Sequence, residues 1–150
     1  MHGTITSTGL AGSYVGGLVG ANHGTILRAY STVTIPATQA EAGGLAATND
    51  GTITSSFSTA VLIGSASSAA MGCLVGYTYD EGSVENCGWV SMGASAATHC
   101  HSPVDETGCT LYGAIADFFP ATCPVYTDAF PWDFETVWLA DPANLPILRP

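Results

Sequence analysis

One motif recurs three times in the first two-thirds of this 150-residue chain, and nothing else in the sequence constrains the fold as strongly. The copies read Gly16-Gly-Leu-Val-Gly-Ala-Asn-His-Gly-Thr-Ile26, Gly43-Gly-Leu-Ala-Ala-Thr-Asn-Asp-Gly-Thr-Ile53 and Gly72-Cys-Leu-Val-Gly-Tyr-Thr-Tyr-Asp-Glu-Gly-Ser-Val84. Each runs on into a second patterned stretch: Leu27-Arg-Ala-Tyr-Ser-Thr-Val, Thr54-Ser-Ser-Phe-Ser-Thr-Ala and Glu85-Asn-Cys-Gly-Trp-Val-Ser. Gly17 and Gly44 are 27 residues apart (44 − 17), and Gly44 and Cys73 are 29 apart (73 − 44). The third copy carries two extra residues in its turn, around Tyr79 and Asp80. A half-copy, His2-Gly-Thr-Ile5, stands ahead of the first. Self-similarity at a fixed period is the signature of a repeat architecture.

The chemistry inside each copy is that of strands. Short β-branched and aromatic runs alternate with Thr and Ser and are punctuated by Gly or Asn-x-Gly. Helical periodicity appears only around Ala114 to Phe119. A unit of this size with two or three short strands cannot bury its apolar face alone. Stacked copies can, with equivalent residues about 4.8 Å apart. The spacing therefore predicts an all-β fold: a parallel β-solenoid of about three and a half coils over residues 1–92. Its ladders would be Leu18, Leu45 and Leu74; Ile5, Ile26, Ile53 and Val84; and Tyr30, Phe57 and Gly88 or Trp89. Gly24, Gly51 and Gly82 recur at one corner, where positive φ or close backbone approach would demand glycine.

At these residues the chain resembles the GLUG repeat family, named for its Gly-Leu-x-Gly core and found in large bacterial surface proteins. The family pattern runs roughly Gly-Gly-Leu-Val-Gly-x-Asn-x-Gly-x-Ile-x-x-Cys-Tyr-Ala. Gly16 to Tyr30 matches it nearly throughout, with Ala29 at the usual cysteine place. The second copy departs at Ala47 and Ser56, and the third keeps Leu74-Val-Gly76 and restores the cysteine as Cys87. The resemblance covers about residues 2–92. It implies a solenoid in an extracellular protein, such as an adhesin or the accessory region of a surface-anchored enzyme, and implies no chemistry.

The C-terminal part, 93–150, reads as an irregular loop and an aromatic cap packed on the solenoid within a single domain. Pro131-Trp-Asp-Phe-Glu-Thr-Val-Trp138 and Leu145-Pro-Ile-Leu-Arg149 resemble the ending that follows GLUG arrays. Trp132, Phe134, Val137, Trp138 and Arg149 are thus the expected cap residues, plugging the last coil, whose core and strand edges would otherwise be exposed. Residues 93–125 hold three cysteines, three prolines and two histidines without a strand pattern. A loop of this length is usually functional or stapled. At least one disulfide is expected among Cys100, Cys109 and Cys123, with Cys73 and Cys87 as core thiols.

Composition narrows the function by exclusion. Arg28 and Arg149 are the whole basic complement against twelve carboxylates, giving a formal net charge of −10. Nucleic-acid binding requires Lys and Arg to displace counterions from phosphates, so that class is set aside. Docking on anionic membrane is disfavoured for the same reason. No apolar run approaches the roughly 18 residues of a membrane span. Cysteines, acidity and abundant small polar residues together point to an oxidising extracellular or cell-surface setting.

Three constellations invite sharper readings. His99-Cys100-His101, with Asp105, Glu106 and Cys109 nearby, carries zinc-ligand residue types, yet lacks a second CxxC or HxxxH spacing. A disulfide-pinned loop with solvated histidines is the favoured reading, with no metal assigned. Asp80-Glu81 and Asp105-Glu106 are adjacent pairs that point apart, whereas glycosidase carboxylates need opposed geometry. With two arginines for the whole chain, lyase chemistry lacks cationic groups as well. A Thr25, Thr52 and Ser83 column, led by Thr4, would form a flat polar face. Its companion column is broken by Leu27 and Glu85.

The sequence therefore points to a non-catalytic, cofactor-free structural or adhesive module. The alternatives are a filament subunit and a glycan-binding module using loop 93–125 with Tyr77, Tyr79, Tyr112 and Tyr126. Because the chain opens in mid-repeat, Ile5 and Leu10 are expected to need cover from a preceding domain or a neighbouring subunit.

Overall fold

The computed structural model describes residues 2–4, 13–36, 40–64, 70–91, 97–102, 106–128 and 131–150. Ahead of the repeats lies β1 (His2–Thr4). The first repeat supplies β2 (Ser13–Gly16), β3 (Val19–Asn22), β4 (Thr25–Leu27) and β5 (Tyr30–Pro36). The second supplies β6 (Ala40–Gly43), β7 (Ala46–Asn49), β8 (Thr52–Thr54), β9 (Phe57–Ser58) and β10 (Val61–Ile63). The third supplies β11 (Met71–Gly72), β12 (Val75–Thr78), β13 (Ser83–Glu85) and β14 (Cys87–Val90). Two more strands follow, β15 (His101–Ser102) and β16 (Cys109–Tyr112). A 3-10 turn at Ile115–Phe118, one helical turn at Pro124–Thr127, and the strands β17 (Trp138–Asp141) and β18 (Asn144–Leu148) complete the chain.

The strands sort by their position within the repeat. One sheet runs β11-β6-β2, a second β15-β12-β7-β3, a third β13-β8-β4, and a fourth β1-β5-β9-β14-β16 with β10 also on β5. Every pairing in these sheets is parallel, and among the described residues the one antiparallel pair is β17–β18. The register follows the sequence repeat: Gly16, Gly43 and Gly72 align, as do Ile26, Ile53 and Val84, and Tyr30, Phe57 and Gly88. Between the first two sheets the backbone amides of Leu18, Leu45 and Leu74 donate to the carbonyls of Leu45, Leu74 and Cys100, at 2.8, 2.8 and 3.0 Å. Cys100 is thereby a fourth rung of the leucine ladder.

The interior holds Leu45, Leu74, Ile53, Val33, Ile35, Leu62, Val75, Cys73, Cys87 and Trp89, with Ile26 and Val84 buried at the ends of their column. Burial pushes the Cys87 thiol up to about 12. Leu18 departs from expectation, at 37% exposure against none for Leu45 and Leu74. The two inner leucines have a rung on each side, whereas Leu18 has only Leu45 among the described residues. The half-copy also departs: β1 aligns Thr4 with Thr34 of β5, so Thr4 does not lead the Thr25, Thr52 and Ser83 column. Seven-residue β5 outruns two-residue β9, leaving a far half that accepts β1 and β10. Ile5 and Leu10 lie outside the described residues.

Among the corner glycines, close approach rather than backbone sign is the constraint. A Cβ on Gly51 or Gly82 would sit 2.1 or 2.5 Å from a carbonyl oxygen, while Gly24 has open space. The left-handed position lies a few residues on, at Arg28, Ser55 and Asn86, with φ of 54°, 45° and 47°. These three residues immediately follow β4, β8 and β13.

Segment 93–125 is less irregular than its sequence suggests, because β15 and β16 extend two of the parallel sheets. His101 aligns with Val75, and Cys109 with Cys87. Cys100 and Cys109 form a disulfide, and Cys123 is a buried free thiol.

The cap packs on a flank of the fourth sheet, across the repeats. Tyr30 and Phe57 stack at 4.9 Å, Phe57 and Phe118 at 4.3 Å, and Phe118 meets Tyr112 at 4.5 Å. Trp132 is buried against Tyr30, Phe57, Tyr126 and Trp138, and its indole N–H donates to Ser55 O at 2.8 Å. Phe134 meets the Tyr126 ring edge-on at 5.4 Å, and Tyr30 O–H donates to Pro146 O. Arg149 ties the hairpin by donating to Trp138 O and Phe134 O. Val137 is exposed, since it occupies the turn before β17 and contributes its carbonyl, which accepts from Arg149 N–H.

Candidate functional site

Among the described residues, two places in particular bring reactive or recognitive side chains together. The first is a groove of about 540 Å³ crossing the repeats on their outer side, lined by Tyr14, Ala21, His23, Thr48, Asp50, Tyr79, Asp80 and Glu81. Strand alternation turns Tyr14 outward while Val15 enters the core. His23 and Asp50 occupy equivalent corner positions 27 residues apart, and His23 Nδ1 lies 2.7 and 2.8 Å from the two Asp50 carboxylate oxygens. The two-residue insertion of the third repeat builds the far wall. Tyr79 N–H donates to Asn49 O, and Gly82 N–H closes the turn back onto Tyr79 O. Asp80 and Glu81 are thereby thrust into solvent at the turn tip. Tyr77 meets Tyr79 edge-to-face at 4.9 Å. Partial desolvation, then the neighbouring Tyr14, Glu41, Tyr77 and Asp50, raise the Tyr79 phenol above its ordinary range.

The second place is the disulfide between Cys100 and Cys109. Glu106 holds it: one carboxylate oxygen accepts from Cys100 N–H at 3.0 Å and the other from the Trp89 indole N–H at 3.1 Å. Ligand atoms of Cys100, His101 and Cys109 lie within 4.8 Å of one another. His101 is buried, and its Nε2 lies 3.4 Å from Thr107 O. Its Nδ1 has no hydrogen-bond partner among the described residues. His101 and Thr107 also border an open pocket of about 410 Å³ together with Thr78, Tyr79, Ser83 and Glu85.

The sequence-derived candidates are thus redistributed. Tyr77 and Tyr79 remain available to a ligand. Tyr126 is buried, donates to Phe118 O at 2.6 Å, and belongs to the aromatic cluster, as half-buried Tyr112 does. Of the His99-Cys100-His101 run, Cys100 and His101 group together with Cys109, where the chain bends at 99–100 before β15 begins, and His101 is buried instead of solvated. Asp105 lies outside the described residues. Tyr14 carries no signal of its role in the sequence, since nothing local to β2 shows that a turn two repeats away reaches it. No helix among the described residues is long and apolar enough to cross a membrane. Comparison with protein-family models, curated proteins and solved structures finds no match for this chain.

Proposed function

We propose that this chain is a parallel β-solenoid of the GLUG type that serves, without catalysis, as a structural or adhesive module outside the cell or on its surface. The observation carrying the reading is the common register: residues one repeat apart fall side by side in every parallel sheet. Such an array is extended by adding copies, which suits a spacer or display surface. The Cys100–Cys109 disulfide agrees with an oxidising compartment. Duplicating residues 43–71 tests the architecture. A solenoid accepts the extra copy and lengthens by about 4.8 Å in small-angle scattering. A chain that unfolds or swells isotropically contradicts it. Protease accessibility of the protein on intact cells tests the location.

The groove favours one second reading, glycan binding. Tyr14 and Tyr79 are exposed phenol faces beside carboxylates, a combination suited to stacking on sugar rings and accepting from their hydroxyls. A net charge of −10 argues for neutral or cationic sugars over acidic ones. Binding on a glycan array that is lost in both Tyr14→Ala and Tyr79→Ala would establish it. An array silent for the folded protein would leave the spacer role alone.

A further inference from the structure

We propose that the Cys100–Cys109 staple is one state of a redox-gated zinc site, whose other state binds a divalent zinc ion through Cys100 Sγ, Cys109 Sγ and His101 Nδ1. Three observations converge on it, none involving the groove or the reading as a structural module. Ligand atoms of the two cysteines and the histidine already lie within 4.8 Å of one another. His101 Nδ1 is buried without a hydrogen-bond partner among the described residues. A Nε2–H that donates to Thr107 O leaves the Nδ1 lone pair free, the tautomer a metal requires.

The backbone would hold these ligands after the bond is cut. Cys100 O accepts from Leu74 and Val75 N–H, Cys100 N–H donates to Glu106, and Cys109 is fixed in register with Cys87. With zinc–sulfur bonds of about 2.3 Å, tetrahedral geometry needs sulfurs about 3.8 Å apart. Side-chain rotation alone can open that gap, given a Cα separation of 6.3 Å. The fourth ligand would be a water, for which the open pocket bordered by His101, Thr107 and Glu85 is the neighbouring source.

The step balances. A dithiol delivers two electrons and two protons to the S–S bond, leaving Cys100 and Cys109 as thiols and itself as a disulfide. Zinc binding then releases both protons to solvent as the two thiolates coordinate. A small-molecule disulfide takes up the same two electrons and two protons from solvent, leaves as two thiols, and so re-forms the Cys100–Cys109 bond and expels the metal.

Cobalt(II) is the probe. The full chain, reduced anaerobically with a water-soluble phosphine and freed of it, should take up one equivalent. A thiolate-to-cobalt charge-transfer band and tetrahedral visible bands should appear, and zinc should displace both. The oxidised protein should show neither, and Cys123→Ser should behave as wild type. His101→Ala should weaken zinc binding by at least about tenfold, since even residues that only support a ligand cost that much. Zinc should also slow alkylation of Cys100 and Cys109 in the reduced wild-type chain, a readout that needs no variant. A band that persists in Cys100→Ser or Cys109→Ser overturns the proposal. So does zinc affinity unchanged in a folded His101→Ala or His101→Gln chain, or alkylation at both cysteines indifferent to zinc.

Discussion

Asn86, Ser55 and Arg28 share a left-handed backbone at the same corner of successive repeats, and only Asn86 has a side chain suited to it. For an ordinary L-residue that conformation costs roughly 1–2 kcal/mol. Asn86 Nδ2 also donates to Ser55 Oγ at 3.2 Å, linking two corners. Asn86→Ala should therefore lower the urea-unfolding free energy by about 1–2 kcal/mol. Asn86→Gly, which loses the hydrogen bond but keeps the backbone relaxed, should lose less, and equal losses would remove the backbone from the explanation. The corner was not legible in the sequence, because arginine and serine carry no left-handed signature and the conspicuous glycines lie elsewhere. Cys87 was legible as a core thiol. Its acidity is suppressed by burial to about 12, so the native thiol should resist iodoacetamide in mildly alkaline buffer and react only after unfolding. Mass mapping of the alkylated peptide reads this directly.

The fourth sheet shows how one small residue organises an element. Along its outer face the rungs are Tyr30, Phe57 and Gly88, and a Cβ on Gly88 would stand 2.8 Å from Phe118 and 2.9 Å from Tyr112. The missing side chain is the slot into which the 3-10 turn inserts Phe118, continuing the stack from Phe57 to Tyr112. Phe118 is fully buried, so Phe118→Ala should cost about 3–5 kcal/mol in thermal or urea unfolding. Gly88→Ala should destabilise through overpacking of the same slot by about 1–3 kcal/mol. If both variants unfold as wild type does, the cap is an ornament on the sheet. Parallel stacking and the aromatic rungs could be read from repeat spacing, whereas the C-terminal aromatics were legible only as a separate motif. The course of β15 and β16 could not be read. In the third repeat Leu74 and Cys87 are 13 residues apart, whereas their successors Cys100 and Cys109 are 9 apart. A unit four residues shorter, with His-Cys in place of the Gly-Leu pair, no longer matches the pattern it completes.

At the scale of the whole molecule, buried phenols govern the pH response and the missing lysines govern association. Burial raises the phenols of Tyr126, Tyr112 and Tyr30 above their ordinary value of 10.0. Their unfolded counterparts release protons first as pH rises, so the stability these groups contribute is intact below about pH 10 and declines above it. Alkaline titration followed by circular dichroism should show cooperative loss of structure in that range, coincident with tyrosinate absorbance. Phenols that ionise at their ordinary value with structure intact would refute it. Association follows from the opposite edge. Among the described residues β2, β3 and β4 each pair with one neighbour only, β6, β7 and β8, which leaves three adjacent rows of backbone groups along one end. Lysines normally guard such edges, and the chain has none, while Thr25 and Leu27 on β4 are exposed. A partner edge from another copy would make a heterologous contact that propagates instead of closing. Light scattering should therefore give a mass that rises with concentration. Thr25→Lys combined with Leu27→Lys should return it towards 15.3 kDa without loss of fold, because pairing a further strand there would bury and desolvate two cations. A mass independent of concentration and of both substitutions would mean that these edges are already covered.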